Sequence, residues 1–274
     1  MGRQTLAARV ARAASASAAY VLHRYDWSET SLILDLFTRD QGRLTVVAKG
    51  AKRPYSQLRP ALLPFQRLLV SVSRPSRDEA VDIVTLRSAE WAGGGPMLSG
   101  AALFSGFYLN ELLMKLLARN DPHALLFDAY AATLPALAAA DDTLTPAALR
   151  AFELVLLREI GLLPQLDQFT ATLRPVGARD ACLLRPEIGI VEAGPADAAL
   201  GGALLLRLQQ ALDDGAMPTL QATCAEGAGP LKAALRALLH YHLGTTRLRT
   251  REVMIDAQQQ LLDLPRTGPR PDTP

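Results

Sequence analysis

Two alternating runs joined by a short turn constrain this chain most, because they specify a β-hairpin near its amino end. Residues 31–38 and 43–49 place apolar side chains at every second position, which is the period of a strand. Residues 39–42 connect the two runs, and Gly42 can adopt the positive φ that a tight or bulged hairpin turn requires. Alternation in the second strand places Arg43, Thr45, Val47 and Lys49 on the outer face, which is therefore cationic.

Three further segments indicate that this hairpin belongs to a small barrel. Residues 19–25, 66–73 and 81–86 show similar alternation. Five short strands within about seventy residues, with a long irregular connection in the middle, are typical of a Greek-key barrel such as the OB-fold. Residues 91–96 contain three consecutive glycines, and beyond them the apolar period changes from 2 to 3.6. We therefore predict an α+β chain, with an OB-fold barrel followed by a mostly helical domain.

Charge is unevenly distributed, although the whole chain is close to neutral. Residues 1–80 contain thirteen basic and six acidic side chains, whereas residues 81–200 contain eight basic and fourteen acidic ones. No acid lies between Arg43 and Arg77. Such an excess of cations indicates either a contact with a polyanion or a solvated basic face.

Aromatic residues are interleaved with these cations, as a barrel that stacks bases and neutralises phosphates requires. Tyr55 lies in the loop after the third strand and should point outward, whereas Tyr20 and Phe37 are better suited to a core. Arg43 and Arg67 share an outward face if the third and fourth strands are neighbours. The predicted nucleic-acid-binding residues are Arg24, Arg39, Arg43, Lys49, Lys52, Arg53, Tyr55, Arg59 and Arg67.

Several short motifs occur in a fixed order in the first domain. They are Leu22-His23-Arg24-Tyr25, Glu29-Thr30-Ser31, Leu36-Phe37-Thr38, Gly42-Arg43, Val47-Ala48-Lys49-Gly50-Ala51-Lys52-Arg53-Pro54 and Leu63-Pro64-Phe65. In this order they resemble the amino-terminal domain of the RecO family of recombination mediators. Residues 236–244 and 248–254 resemble the carboxy-terminal signature of the same family, so the resemblance covers most of the chain.

The resemblance implies a DNA repair and recombination protein of the cytoplasm, associated with the nucleoid and without catalytic chemistry. It implies binding of single- and double-stranded DNA, annealing of complementary strands, and assistance to RecA loading together with RecR. It also implies contact with the acidic, apolar carboxy-terminal tail of the single-strand-binding protein. The helical domain would have to supply an apolar pocket with a cation nearby. The candidate cations are Lys115, Arg119, Arg150 and Arg158.

Many RecO proteins contain a small zinc ribbon with two CxxC pairs, whose thiolates complete a tetrahedral site. The corresponding positions here are Phe169, Thr172, Glu192 and Pro195. None of them is cysteine. We therefore expect residues 165–200 to be a metal-free loop or short β remnant, and we expect the protein to bind no cofactor. Cys182 should be an ordinary buried side chain.

The predicted organisation is a tail at 1–18, the barrel domain at 19–92, the helical domain at 96–262 and a Pro-rich disordered tail at 263–274. The first tail resembles a transit peptide in composition but lacks the apolar core of a secretory signal. No run approaches the ~20 apolar residues of a membrane span, so we do not expect a membrane protein.

Two other functions remain open from sequence. One is a sequence-tolerant RNA-binding OB-fold protein, and the other is an enzyme with a scattered active site. Catalytic motifs such as HExxH and GxSxG are missing from the sequence, and no carboxylates cluster at metal-ligand spacing. A second basic cluster, Arg247, Arg249 and Arg251, could contact DNA or lie favourably at a helix end.

Overall fold

A computed structural model of the chain describes residues 16–73, 83–93, 95–139, 141, 144–244, 248–250 and 252–253. Five strands form its amino-terminal part. They are β1 (Ser17–Asp26), β2 (Leu32–Thr38), β3 (Gly42–Ala48), β4 (Leu68–Val72) and β5 (Ile83–Trp91). The strands close into a barrel in the order β1-β2-β3-β5-β4, with β3 and β5 parallel and the other described pairs antiparallel. This closed, OB-like barrel confirms the predicted fold of the first domain. The short helix α1 (Leu58–Ala61) lies between β3 and β4.

Alternating side chains of the hairpin fill the barrel, as the sequence pattern predicts. Leu36 lies opposite Leu44, and Leu34 lies opposite Val46, and all four are buried in the barrel core. Gly42 has φ of +71° at the turn.

Two features of the outer face of the barrel go beyond what the alternation indicates. Thr45 pairs with Asp35 outside the barrel core, but it is buried, and its hydroxyl donates to Asp35 Oδ1 at 2.8 Å. Arg67 does not share a face with Arg43 and Lys49 through adjacent strands, because β5 lies between β3 and β4. Strand order depends on long-range pairing, which alternation within single strands does not encode.

Six longer helices form most of the remaining described chain. They are α2 (Gly100–Leu116), α3 (Ala124–Ala138), α4 (Leu144–Glu159), α5 (Gly202–Asp213), α6 (Met217–Glu226) and α7 (Ala228–Leu243). The predicted switch from strands to helices is therefore confirmed. Helix α3 contains Pro135 and continues for three residues beyond it. Among the described residues, no helix has the length and apolar character needed to cross a membrane.

A second core joins the barrel to the helices. Tyr20 of β1 and Phe37 of β2 are buried, as predicted, but they point out of the barrel toward α3. The ring of Phe127 lies 5.2 Å from the ring of Tyr20 and 5.4 Å from that of Phe37, centroid to centroid. Tyr130 packs edge-on against both rings. Such aromatic pairs are stabilising beyond the area they bury, so the barrel and the helices are held in a fixed relation.

A bulge in β1 contributes a polar link to this core. The register shifts between Val21 and His23, so that Leu22 is the additional residue and packs against the helices. Asn110 of α2 donates its amide to Leu22 O at 3.0 Å and accepts from the Tyr130 hydroxyl at 2.6 Å. These groups satisfy one another inside the buried junction.

The segment predicted as a loop or β remnant contains a small three-stranded sheet. Its strands are β6 (Ala181–Arg185), β7 (Gly189–Glu192) and β8 (Leu200–Gly201), in the order β7-β6-β8. Arg174 lies 4.2 Å above the Phe169 ring and pairs with Asp180 at 3.3 Å and Glu192 at 2.6 Å. This guanidinium connects the start of the segment to β7. The described residues contain no cluster of three or more His, Cys, Asp or Glu side chains able to hold a metal ion.

Both cysteines are free and buried. Burial raises the pKa of Cys182 and raises that of Cys224 to about 12. Burial in apolar surroundings makes a thiol less reactive, and Cys182 is fully buried, which agrees with the expectation that it is an ordinary core side chain.

Candidate nucleic-acid interface

The basic loop, defined as residues 49–59, follows β3 and is held to the barrel at several points. Ala51 is buried in the barrel core. Its neighbour Lys52 donates its backbone N–H to Thr30 O at 2.9 Å, and the Gly50 N–H donates to Ser31 Oγ at 3.4 Å. The main chain of the loop is therefore fixed to the β1–β2 connection while its side chains reach solvent.

Exposed cations surround a solvent-facing aromatic ring in the basic loop. Tyr55 is 96% exposed, as the sequence predicts. Lys49 and Arg53 lie on one side of it and Arg59 on the other, and all three are exposed. None of these three cations has an ion pair with a described residue. An accessible ring between unpaired cations can stack on a base while the cations neutralise adjacent phosphates.

A crevice of about 430 Å³ opens at the end of the barrel beside this loop. Arg24, Lys52 and Arg59 line it together with one acid, Asp26. Lys52 Nζ lies 3.0 Å from Asp26 Oδ1, and Arg24 donates to Leu62 O at 3.3 Å. Lys52 therefore has a carboxylate partner that its acid-free neighbourhood in the sequence did not reveal.

Three other predicted binding residues lie at the junction with the helices. Arg39 donates to both carboxylate oxygens of Asp128, at 3.0 and 2.8 Å. This hydrogen bond lowers the pKa of Asp128 and raises that of Arg39. Arg43 donates to Met114 O, and its buried Nε has no hydrogen-bond partner in the described structure. Arg67 is exposed and acts electrostatically on Asp128.

A second aromatic surface lies on the outer face of β1 and β2. Tyr25 is 41% exposed and stacks edge-on against His23, with ring centroids 4.4 Å apart. Burial raises the pKa of Tyr25, and the neighbouring carboxylate of Asp35 raises it further. Trp27, which follows β1, is 64% exposed. Two more rings are therefore available on the barrel surface.

The helical region contains a different kind of site, which we call the helical pocket. It has a volume of about 300 Å³ and lies between α2, α4, α7 and residues 248–250. Its lining combines apolar side chains with cations. The lining residues are Phe104, Ser105, Tyr108, Leu149, Arg150, Glu153, Lys232, Arg236, Leu239, His240, Leu248 and Thr250.

A buried carboxylate organises the inner part of the helical pocket. Glu153 is 1% exposed, and its Oε1 accepts from the Tyr108 hydroxyl at 2.6 Å and from Arg150 Nη2. Burial raises the pKa of Glu153, and the charge of Arg150 opposes that rise. Arg150 Nε and Glu153 Oε2 are buried without hydrogen-bond partners in the described structure.

Of the four cations predicted to bind a partner tail, the structure places Arg150 alone in the helical pocket. Lys115 lies 3.6 Å from Glu111, and Arg158 lies 2.9 Å from Asp213. Arg119 lies in the loop after α2, next to β3.

Sequence reasoning missed the cations of α7. Lys232 and Arg236 are exposed at the helical pocket, and His240 follows them on the same helix face. Their spacing of four residues is a visible signal, since side chains four apart share one face of a helix. The basic cluster near residue 249 provided a competing signal, but Arg247 and Arg251 lie outside the described residues. The backbone N–H of Arg249 donates to Glu111 at 3.0 Å.

Comparison with known proteins gives consistent matches over the chain. Family models described as recombination protein O N terminal and C terminal match residues 2–93 and 97–252. The DNA repair protein RecO of Polaromonas naphthalenivorans is 55% identical over 243 residues, which cover 88% of this chain and 95% of that protein. The protein of the same name from Variovorax paradoxus is 52% identical over 249 residues, covering 88% and 95%. That from Paracidovorax citrulli is 51% identical over 260 residues, covering 90% and 98%.

Proposed function

Because the chain belongs to the RecO family of DNA repair proteins, we propose that it is a recombination mediator that binds single- and double-stranded DNA. In this proposal it anneals complementary strands in the cytoplasm, at the nucleoid, and acts with RecR to help load RecA. The division of labour follows the predicted domains, with nucleic acid on 19–92 and a protein partner on 96–262. The observation that carries the proposal is the exposed Tyr55 between Lys49, Arg53 and Arg59, three cations that form no ion pair with a described residue.

In this proposal, annealing depends on neutralised phosphates and on base stacking, and it does not require the protein to recognise a base sequence. Exposed lysines and arginines neutralise phosphates, which reduces the repulsion between two strands that approach each other. Stacking on Tyr55 tolerates any base, because every base has a π face. A strand held in this way keeps its pairing edges available to a complementary strand.

The helical pocket supports the proposed contact with the single-strand-binding protein. A peptide tail that ends in acids and a phenylalanine needs an apolar cavity for the ring and cations for the carboxylates. Phe104, Leu149 and Leu239 supply apolar walls, and Arg150, Lys232 and Arg236 supply positive charge. We propose Lys232 and Arg236 as tail-binding residues in addition to Arg150.

The same pocket supports binding better than catalysis. Several titratable groups converge there, as an enzyme would require. Among the described lining residues, however, Glu153 is the one carboxylate, and it is already engaged by Tyr108 and Arg150. General acid and base roles need two separately tuned groups. We therefore propose a chain that binds and rearranges DNA without bond chemistry of its own.

Fluorescence anisotropy with a labelled single-stranded oligonucleotide tests the DNA proposal. If about four phosphates are neutralised, log affinity should fall with log salt at a slope of about −3, given about −0.7 per phosphate. Replacing Lys49 and Arg53 with alanine should reduce the magnitude of that slope by about 1.4. The matched control is the Arg158→Ala/Arg207→Ala variant, which loses the same charge from paired surface sites of the helical region.

Two outcomes would contradict the proposal. An unchanged salt slope in the folded Lys49→Ala/Arg53→Ala variant would move the DNA site away from the basic loop. Equal or stronger competition by an RNA oligonucleotide of the same length would favour the RNA-binding alternative.

A further inference from the structure

The loop between α2 and α3 behaves as a short extension of the barrel sheet. The Asn120 N–H donates to Arg43 O at 3.0 Å, and Arg119 pairs with Arg43 as a parallel bridge. Among the described residues, β5 pairs with β3 at residues 45–47, and the loop lies beside β3 at Arg43. The hydrogen bond fixes the loop beside the strand.

Local backbone geometry holds the loop in this place. A side chain at Gly42 would put its Cβ 1.9 Å from Asp121 O, so the close approach of loop and hairpin requires glycine. Asn120 adopts φ of +58°, which asparagine tolerates better than most residues. Arg43 adds a third constraint by donating from its side chain to Met114 O at the end of α2.

The consequence is an exposed cation of the helical region on the barrel surface. Arg119 is exposed, and no ion pair within the described structure involves it. The bridge to Arg43 and the Asn120 hydrogen bond place it beside β3. Burial and Asp35 raise the pKa of Tyr25, and the charges of Arg43 and Arg119 oppose that rise. The nearest acid in the loop, Asp121, lies 3.4 Å from His123 Nε2, and Asp35 is buried.

We propose that Arg119 contacts the phosphate backbone of nucleic acid bound on the barrel, so that the binding face continues from Tyr25 onto the α2–α3 loop. This inference rests on the proposed function and deepens it. It also reassigns two residues: Arg43, predicted to bind DNA, positions the loop through Met114 O, and Arg119, predicted to bind the partner tail, makes the DNA contact. A strand bound here touches both parts of the chain.

The test is the salt dependence of single-stranded DNA binding by the full-length Arg119→Ala variant. One lost phosphate contact should reduce the magnitude of the slope by about 0.7, and Arg119→Lys should restore it because the charge returns. Lys115→Ala is the matched control, since Lys115 is also exposed near the end of α2 but lies 3.6 Å from Glu111. Binding of an acidic peptide that ends in phenylalanine should be unchanged in Arg119→Ala.

Each contrary result has a defined meaning. The inference would be overturned if Arg119→Ala had the salt slope of the wild type, or if Arg119→Ala and Lys115→Ala reduced the slope equally. A reduced slope in Lys49→Ala/Arg53→Ala would still support the proposed function. Weaker peptide binding by Arg119→Ala would instead assign Arg119 to the protein partner. No DNA binding by the wild-type chain would overturn both proposals.

Discussion

The basic loop and the helical pocket both present cations, but their surroundings are opposite. Around Tyr55 the cations are exposed to solvent, and none of the described residues encloses them with an apolar wall. In the helical pocket the cations lie beside apolar walls and above a buried network of Tyr108, Arg150 and Glu153. The first surface suits a long polyanion whose position along the surface is not fixed. The second suits the defined end of a peptide.

The affinities of the two surfaces for their proposed ligands should therefore respond differently to salt. Exposed charge contacts weaken steadily as salt rises, because counterions compete for the same phosphates. Burial of an aromatic ring is insensitive to moderate salt, so the peptide site should lose less affinity over the same range. One chain would then hold a protein partner firmly while exchanging DNA readily.

The substitution with the largest expected effect tests whether the barrel and the helical region, which present the two surfaces, unfold independently. Phe127→Ala removes the ring that contacts Tyr20 and Phe37, and a cavity of this size should lower the free energy of unfolding by about 3–5 kcal/mol. Both tryptophans, Trp27 and Trp91, lie in the barrel region, so their fluorescence reports on the barrel. Far-UV circular dichroism reports mainly on the helices.

The two signals should shift together in urea, because the cavity lies in the core shared by both parts. Leu125→Ala, on the same helix but exposed, is the control and should change stability little. A fluorescence transition that stays in place while the helical signal shifts would show that the barrel is stable alone.

A substitution with a smaller expected effect distinguishes the two surfaces by the ligand that each one binds. The Lys232→Ala/Arg236→Ala variant should bind the acidic tail peptide about 10- to 100-fold more weakly, as expected for the loss of charge-assisted contacts of about 1.5–3 kcal/mol. Its DNA salt slope should equal that of the wild type. Isothermal titration calorimetry measures the first quantity and anisotropy the second. A loss of DNA binding in this variant would merge the two sites into one.

These two surfaces also show what the sequence could and could not predict. The hairpin, the five strands and the exposed Tyr55 follow from local alternation and turn chemistry, so they were predicted correctly. The partners of Arg43 and Lys52 were not predictable, because Met114 and Asp26 meet them only through the tertiary fold. Charge counts along the chain cannot reveal such contacts.

The helical pocket was missed because its walls come from α2, α4, α7 and residues 248–250, which are widely separated in sequence. Sequence reasoning identified Arg150 on α4 and passed over Lys232 and Arg236.

The smallest expected effect is the loss of stability on acidification at residues 248–250, which form part of the wall of the helical pocket. Glu111 accepts from the N–H groups of Arg249 and Thr250, each at 3.0 Å, and from the Thr250 hydroxyl. Burial acts to raise the pKa of Glu111, but these hydrogen bonds and Lys115 lower it overall. The ionised carboxylate therefore stabilises the folded chain above its ordinary pKa, and that contribution is lost as pH falls through the lowered value.

Urea unfolding of the wild type and of Glu111→Gln measures this contribution. At neutral pH the wild type should be more stable by about 0.5–1 kcal/mol, a modest value because Glu111 is only partly buried. The difference should disappear on acidification as Glu111 takes up its proton. A difference that persists below the lowered pKa, where Glu111 is protonated, would mean that packing, rather than charge, holds residues 248–250 in place.

The aromatic junction also constrains how the chain folds during synthesis. A ribosome releases the barrel strands before α3, and domains generally begin to fold in the order in which they emerge. Until Phe127 and Tyr130 appear, a newly closed barrel displays Tyr20 and Phe37 on its outside, without the helix that covers them in the finished protein. A translational pause between residues 92 and 127 would prolong this exposure. The nascent chain is therefore most vulnerable to aggregation, and most dependent on chaperones, in that interval.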